Sequence, residues 1–283
     1  MKNKFTSLII VLLIYLISIG IGIVVFYILK DSISNGLLLL LICDLIITVL
    51  VFMFGVVFDN ASVYDPYWSV IPLILVLGFY YYYEFLYTHL IVLIPLLFWS
   101  IRLTYNWIMG FDNLLWQDWR YVKFKNDFPK IYLLIWLGGV MIMPTLLVFC
   151  GMIPIYNLIS EGYNLVFLIV GGTIIMFAAV YQMIADLQLK KFKKVNSGKI
   201  MNKGLWKLSR HPNYFGEVFM WFGVFISSLG VIVWTSFIGI VLIICLFYFI
   251  SVPLMEKHMI GKYDELYINY QREVKSKIIP FLM

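Results

Sequence analysis

From Phe5 to Leu29 the chain runs 25 residues without a single charged side chain. A stretch of about 20 apolar residues spans the hydrocarbon of a bilayer, and several more of similar length follow. Hydrocarbon offers the backbone no water to bond, so a spanning segment must be a helix or a strand of a closed barrel. The continuous apolar runs, without period-two alternation, select helices. The composition agrees, with 63% of residues apolar and 13% charged. The expected fold is therefore an all-α, polytopic transmembrane helical bundle.

Eight candidate spans lie near 5–29, 37–58, 69–83, 88–108, 131–153, 163–185, 214–233 and 235–254. The third is short enough to be re-entrant and the last two could form one broken hairpin, so seven to eight spans are expected. The first follows Lys2 and Lys4 but is too long for a signal-peptide core and lacks a small-residue cleavage site. It is read as a retained span. With the N-terminus inside, all of the 21 Lys and Arg except Lys30 and Arg102 fall in inner segments. That one-sided distribution places both termini in the cytoplasm. The membrane would be the plasma membrane of a bacterium or the endoplasmic reticulum of a eukaryote. The net charge of +6 thus reports membrane orientation and not nucleic-acid binding. No repeat or linker divides 1–283, which is read as one integral membrane domain. Within it, 1–130 is the expected substrate side and 131–283 the expected cofactor half.

Cys43, Cys150 and Cys245 lie inside apolar spans without paired spacing and read as buried thiols. His89, His211 and His258 are far apart, so no metal site is expected. There is no Walker loop, no nucleophile elbow, and no dinucleotide fingerprint after a strand. Ionisable residues inside spans are costly and rare. Of the two here, Asp44 is read as satisfied by a partner on a neighbouring helix, and Arg102 as snorkelling to the interface.

The polar residues concentrate in Gly204–Glu217, between two apolar spans. Arg210, His211, Asn213, Tyr214 and Glu217 crowd around Pro212. Proline suits the first turn of a helix, so His211 is read near the N-cap and Pro212 as the first helical residue. Asn213 and Glu217 then share one face. Free N–H groups there, beside Lys207 and Arg210, suit an anion such as phosphate. Upstream, Gln182, Asp186, Lys190 and Lys193 form one helical stripe leaving the membrane. Two polar, aromatic loops, 59–68 and 112–130, face the same side. Beyond the last span, Tyr263, Leu266, Tyr267, Tyr270, Val274 and Ile278 describe an amphipathic helix on the inner face, where Tyr263 and Tyr267 could close over a cofactor.

These residues resemble the steroid 5-alpha-reductase C-terminal-domain superfamily, and within it a branch of predicted membrane reductases. The resemblance rests on Ala185–Phe192, Gly204–Trp206, Ser209–Glu217, Pro253–Glu256, Tyr267, Tyr270–Arg272 and Ile279–Phe281, with Asp65–Trp68, Arg102–Leu103 and Asp118–Tyr121 upstream. It implies a bundle that binds NADPH from the cytosolic side and reduces a carbon–carbon double bond of a sterol-like or other unsaturated lipid. Gln182, Asp186, Lys190, Lys193, Trp206, Arg210, His211, Asn213, Tyr214, Glu217, Tyr263 and Tyr267 would line the cofactor site. Tyr105, Asp65 and Tyr64 are candidate proton donors. Lysines stand where the steroid enzymes carry arginines, and Trp99 lies near where their catalytic tyrosine would be expected. The rival resemblance, through Arg210–Pro212, Tyr214 and Gly216, is to membrane methyltransferases that use S-adenosylmethionine. That cofactor has no phosphate for the lysines to meet, and the expected Glu–Glu pair after the final span is here Glu256–Lys257.

Overall fold

The computed structural model describes residues 3–231 and 234–282. The described chain is 79% helical and contains no strand. Seven helices are long and apolar enough to cross a membrane. They are α1 (Lys4–Leu29), α2 (Gly36–Phe58), α3 (Ala61–Tyr82), α4 (Tyr87–Gly110), α6 (Tyr132–Ser160), α7 (Leu165–Val195) and α9 (Ser236–Tyr263). Between them lie α5 (Trp119–Asp127) and α8 (Pro212–Ser227), and α10 (Glu265–Glu273) follows the last.

Local chemistry starts several of these helices. Asn3, Asn35 and Asn164 are the N-caps of α1, α2 and α7, their side chains accepting from Phe5, Leu38 and Val166 N–H at 2.9, 3.0 and 2.9 Å. Such a cap satisfies one of the four donors that a helix start leaves unpaired. Asp59, with φ of 49°, ends α2 in the left-handed region that Asp tolerates better than most residues. The third span begins earlier than its apolar pattern suggested, because the one-turn 3₁₀ helix Ala61–Tyr64 and Asp65–Pro66 lead directly into it.

The expected span 214–233 is where the structure departs most from the pattern. Its helix, α8, covers 16 residues, about 24 Å at 1.5 Å per residue, against about 30 Å of hydrocarbon. Positions 232–233 of that expected span, like Lys2 of the basic-residue count, fall outside the described residues. Seven crossings would put the two termini on opposite faces, so cytoplasmic ends at both termini require α8 to cross as well.

The chain forms two compact units. The first comprises 1–84 and 100–152, the second 85–99 and 153–283. In the first, α1 packs along α2, and two polar loops are tied together. The Asn60 amide donates to the carbonyls of Leu114 and Trp116 at 2.8 and 2.7 Å, and the Asp118 N–H donates to the Ser62 hydroxyl at 2.9 Å. Helix α6 carries a π-helical stretch, Ile135–Ile142. Such stretches shift the hydrogen-bond ladder by one residue and often mark functional positions.

In the second unit α7 and α8 form the tightest helix pair, made possible by small residues at the crossing. A Cβ on Gly216 would lie 2.7 Å from Gln182 Cβ and 3.0 Å from the Ala178 carbonyl, and one on Gly171 would lie 2.6 Å from the backbone N of Ser227. Gly20, in contrast, has open space around it. Gly216→Ala is therefore expected to cost about 1–3 kcal/mol through overpacking, lowering the unfolding temperature in detergent. Gly20→Ala should raise it slightly, since Ala is favoured over Gly inside helices by about 0.5–1 kcal/mol. Thermal unfolding of the two variants side by side checks both signs.

Candidate functional site

The chemistry-bearing residues of the second unit fall into two clusters around α8. Its start is as expected from the sequence, with His211 as N-cap and Pro212 in the first turn. One turn in, Glu217 is 4% exposed. Its carboxylate accepts from three neutral donors: the indole N–H of Trp99 at 3.0 Å, the Gln182 amide at 3.0 Å and the indole N–H of Trp221 at 3.1 Å. Trp99 and Trp221 also meet edge to face, their centroids 5.6 Å apart. Burying a carboxylate is affordable only when it is hydrogen-bonded, and these N–H groups meet that need. The opposite end of the Gln182 amide, Oε1, is buried without a partner among the described residues.

The second cluster surrounds Arg210, whose side chain is buried. Its Nε donates to Glu256 Oε1 at 2.7 Å, and Nη1 donates to the carbonyls of Val274 and Lys275 at 2.7 and 3.0 Å. The planar guanidinium can hold several acceptors in fixed geometry, as lysine cannot. The backbone N–H groups of Arg210 and His211 donate to the Ser276 and Lys277 carbonyls, both at 3.0 Å. The Ser209 hydroxyl lies 2.8 and 2.9 Å from the carbonyls of Ile278 and Lys277. Residues 274–278, expected to continue the amphipathic helix, are instead strapped onto Ser209–His211, because α10 ends at Glu273 and the carbonyls beyond it are taken by these donors. His211 Nε2 stands 3.4 Å from Glu256 Oε1, and its ring stacks on Tyr214 at 5.3 Å.

The remaining residues expected at a cofactor site are distributed around these clusters. Helix α7 runs unbroken to Val195, so Gln182, Asp186, Lys190 and Lys193 do share one helix. Gln182 is buried, Asp186 half-buried, and both lysines are exposed. Asn213 is half-buried, its side-chain oxygen 3.1 Å from the Tyr214 N–H. Trp206 is 8% exposed and donates its indole N–H to the Ala185 carbonyl at 3.0 Å. Tyr267 and Tyr270 are buried with Val274, and Tyr263 packs against that cluster. The Tyr270 hydroxyl donates to the Trp206 carbonyl at 2.5 Å. Burial pushes both the Tyr267 and Tyr270 hydroxyls above the ordinary tyrosine range, so both remain protonated donors at neutral pH.

The three proton-donor candidates lie in the first unit, in unlike settings. Tyr64 is buried, with its hydroxyl 2.7 Å from Thr145 Oγ1 and 2.9 Å from the Met141 carbonyl in the π-helical stretch. Asp65 accepts from Tyr121 at 2.6 Å. Burial and the Asp65 charge both raise the Tyr121 pKa, so this hydroxyl stays protonated beside the carboxylate. Tyr105 is 60% exposed.

A further constellation was not singled out by sequence reasoning. Asp44, 2% exposed, accepts from the Tyr67 hydroxyl at 2.5 Å. Thr48 Oγ1 donates to that hydroxyl at 3.0 Å and lies 2.8 Å from Thr145 Oγ1, which completes a chain to Tyr64. The rings of Tyr64 and Tyr67 stack at 4.7 Å. Asp44 Oδ2 is buried without a partner among the described residues. The expected helper on a neighbouring helix is thus Tyr67, and the signal that could have found the chain was the cost of an acid inside a span. Arg102, expected to snorkel outward, is 7% exposed. The three cysteines are free thiols; Cys43 is buried as expected, whereas Cys150 and Cys245 are half-buried. No group of three metal-ligating side chains occurs among the described residues.

The strap carries a direct test. Lys275 and Lys277 are exposed, but their carbonyls are held by Arg210, Ser209 and His211. Arg210→Ala removes the guanidinium and leaves Glu256 with the His211 imidazole and the Gln271 amide, at a cost of about 1–3 kcal/mol for the lost hydrogen bonds. Arg210→Lys keeps the charge but loses the fork. Limited trypsin digestion in detergent should cut after Lys275 and Lys277 much faster in both variants than in the parent. Equal cleavage rates would show that the fork does not hold the strap.

Comparison with known proteins follows the same outline. The chain is similar to "Uncharacterized protein C594.04c" of Schizosaccharomyces pombe, 28% identical over 250 residues that make up 76% of this chain and 71% of that protein. No solved structure matches it. The family described as "Protein of unknown function (DUF1295)" matches residues 51–274, from the last turns of α2 to the end of α10, and this integral membrane protein belongs to that family.

Proposed function

We propose that this protein is an NADPH-dependent membrane reductase that reduces a carbon–carbon double bond of a sterol-like or other unsaturated lipid, in the manner of the steroid 5-alpha-reductases it resembles. One observation carries the reading: the order of groups along α7. Gln182 offers, beside Glu217, a buried acceptor without a partner among the described residues, and Lys190 and Lys193 follow two and three turns later, exposed at the end of the same helix. A buried acceptor left unpaired costs about 1–3 kcal/mol, so the site favours a ligand that brings an N–H to Gln182 Oε1. Two lysines at the membrane edge favour phosphates, as point charges without a fork. A dinucleotide with a carboxamide at one end and phosphates toward the other satisfies both demands in that order.

The residues fit that group with a division of labour. Trp99 and Trp221 fix the Glu217 carboxylate, which keeps the Gln182 amide turned so that Oε1 stays available. Arg210, engaged with Glu256 and the 274–278 carbonyls, serves by holding the strap and not by taking a phosphate. His211, Asn213 and Tyr214 present the first turn of α8, and Tyr263 and Tyr267 pack beneath the strap. NADPH, when bound, supplies a hydride to one alkene carbon. The other carbon takes a proton, for which Tyr64, Asp65 and Tyr105 are the donors suggested by the sequence.

Thermal shift of the detergent-purified chain with NADPH, NADH and S-adenosylmethionine tests this reading. A ligand that binds only the folded state adds about 2.7 kcal/mol at a hundred times its dissociation constant. NADPH should stabilise the parent. The exposed pair Lys190→Ala and Lys193→Ala should fold normally yet bind NADPH at least about tenfold more weakly, roughly 1.4 kcal/mol. Stabilisation by S-adenosylmethionine alone would overturn the reductase in favour of a methyltransferase.

A further inference from the structure

Helices α4 and α7 bound an open groove of about 540 Å³ within the second unit. Its walls include Ile91, Ile94 and Pro95 from α4, and Thr173, Met176 and Phe177 from α7. Both helices are long and apolar enough to span the membrane, so the groove is a concavity in a bilayer-embedded surface. The sequence explains how it is both formed and kept apolar. Pro95 has no N–H, so the carbonyl four residues back, that of Ile91, loses its α-helical donor. That carbonyl points at Gly172, where an added Cβ would collide with its oxygen. A Cα–H contact of this kind partly compensates the lost donor, and the missing side chain lets the helices meet beneath the groove. Thr173, the one side chain with a polar atom among those walls, returns its hydroxyl to its own helix, donating to the Ile169 carbonyl at 2.8 Å. No wall residue therefore presents a hydrogen-bonding side chain to an occupant.

The groove also has a direction. Four residues after Pro95 on α4 comes Trp99, and five after Phe177 on α7 comes Gln182. At 1.5 Å per residue these lie about 6 and 7.5 Å further along. Both donate to Glu217. The same two helices thus carry an apolar trough and, one to one and a half turns beyond it, the buried carboxylate cluster.

We propose that this groove binds one hydrocarbon chain of a membrane lipid, laid along α4 and α7 with its head end toward Glu217. The occupant is a chain because the walls offer nothing to a polar body and both belong to spans surrounded by lipid. Its placement as the tail of the reduced lipid rests on the reductase reading; the binding of the chain stands on the groove itself.

The full chain is reconstituted in phosphatidylcholine vesicles doped with a diazirine-bearing acyl phosphatidylcholine, irradiated, and mapped by peptide mass spectrometry. Labelling should concentrate at Ile94, Thr173 and Met176. Thr173→Trp, which fills the trough from an exposed position, should reduce it to the level at Val170, an exposed residue of α7 outside the groove. Ile94→Trp repeats the test from the other wall should the first variant fail to fold. Unlabelled fatty acid or polyprenol should compete, and the stronger competitor identifies the chain. Labelling no higher in the groove than at Val170 would overturn the proposal. So would disulfide-linked dimers of Thr173→Cys without groove labelling, which would mean a second copy sits there. NADPH thermal shift on Thr173→Trp separates the two readings: unchanged stabilisation with lost labelling supports a chain site apart from the cofactor, whereas groove labelling in a protein that NADPH never stabilises leaves the groove standing and removes the reductase.

Discussion

The close crossing of α7 and α8 is the contact on which the second unit depends. Gly216 lets the backbone of α8 come against Ala178 and Gln182, and the next residue is Glu217. A methyl group at 216 would displace the carboxylate from its donors, because the room it needs is filled by the Gln182 stem and the Ala178 carbonyl. Membrane helices gain little from hydrophobic attraction to one another, so close packing and hydrogen bonds between helices must supply the adhesion. Here both occur within one turn, and the hydrogen bonds are also the most distinctive chemistry in the unit.

The two units handle buried charge differently. In the second, Glu217 and Glu256 are each surrounded by donors, three neutral groups for one and a guanidinium with a nearby imidazole for the other. In the first, Asp44 has a tyrosine at one oxygen and no partner at the other among the described residues. The first unit thus sets its buried acid at the head of a hydroxyl chain, whereas the second surrounds each of its acids with several donors.

Much of this was legible in the sequence, for identifiable reasons. Span positions follow from uninterrupted apolar length, which a bilayer imposes without reference to the rest of the fold. The start of α8 at Pro212 follows from the covalent chemistry of proline. Less legible was the failure of α8 to reach spanning length, because Phe219 to Val233 is as apolar as any true span and nothing in hydropathy marks the turn after Ser227. The roles of Trp99 and Trp221 were hidden because an indole inside an apolar span looks like packing. The contacts of Arg210 were hidden for another reason. A basic residue next to a helix start suits an anion, and only the long-range return of residues 274–278 reveals that its Nε and Nη1 are already engaged. Such contacts, about 46 to 69 residues apart in the chain, leave no local signature.

The strap has a consequence for how this end of the chain tolerates change. Ser209, Arg210 and His211 grip main-chain carbonyls, which every amino acid possesses. Val274, Ser276 and Ile278 point inward while Lys275 and Lys277 point out, the alternation of an extended segment. Replacing either lysine leaves every gripped atom in place. Deleting one residue before Ile278 shifts the alternation by one and turns a lysine inward, as a slipped strand does. This end of the protein is therefore permissive to spelling and strict about spacing.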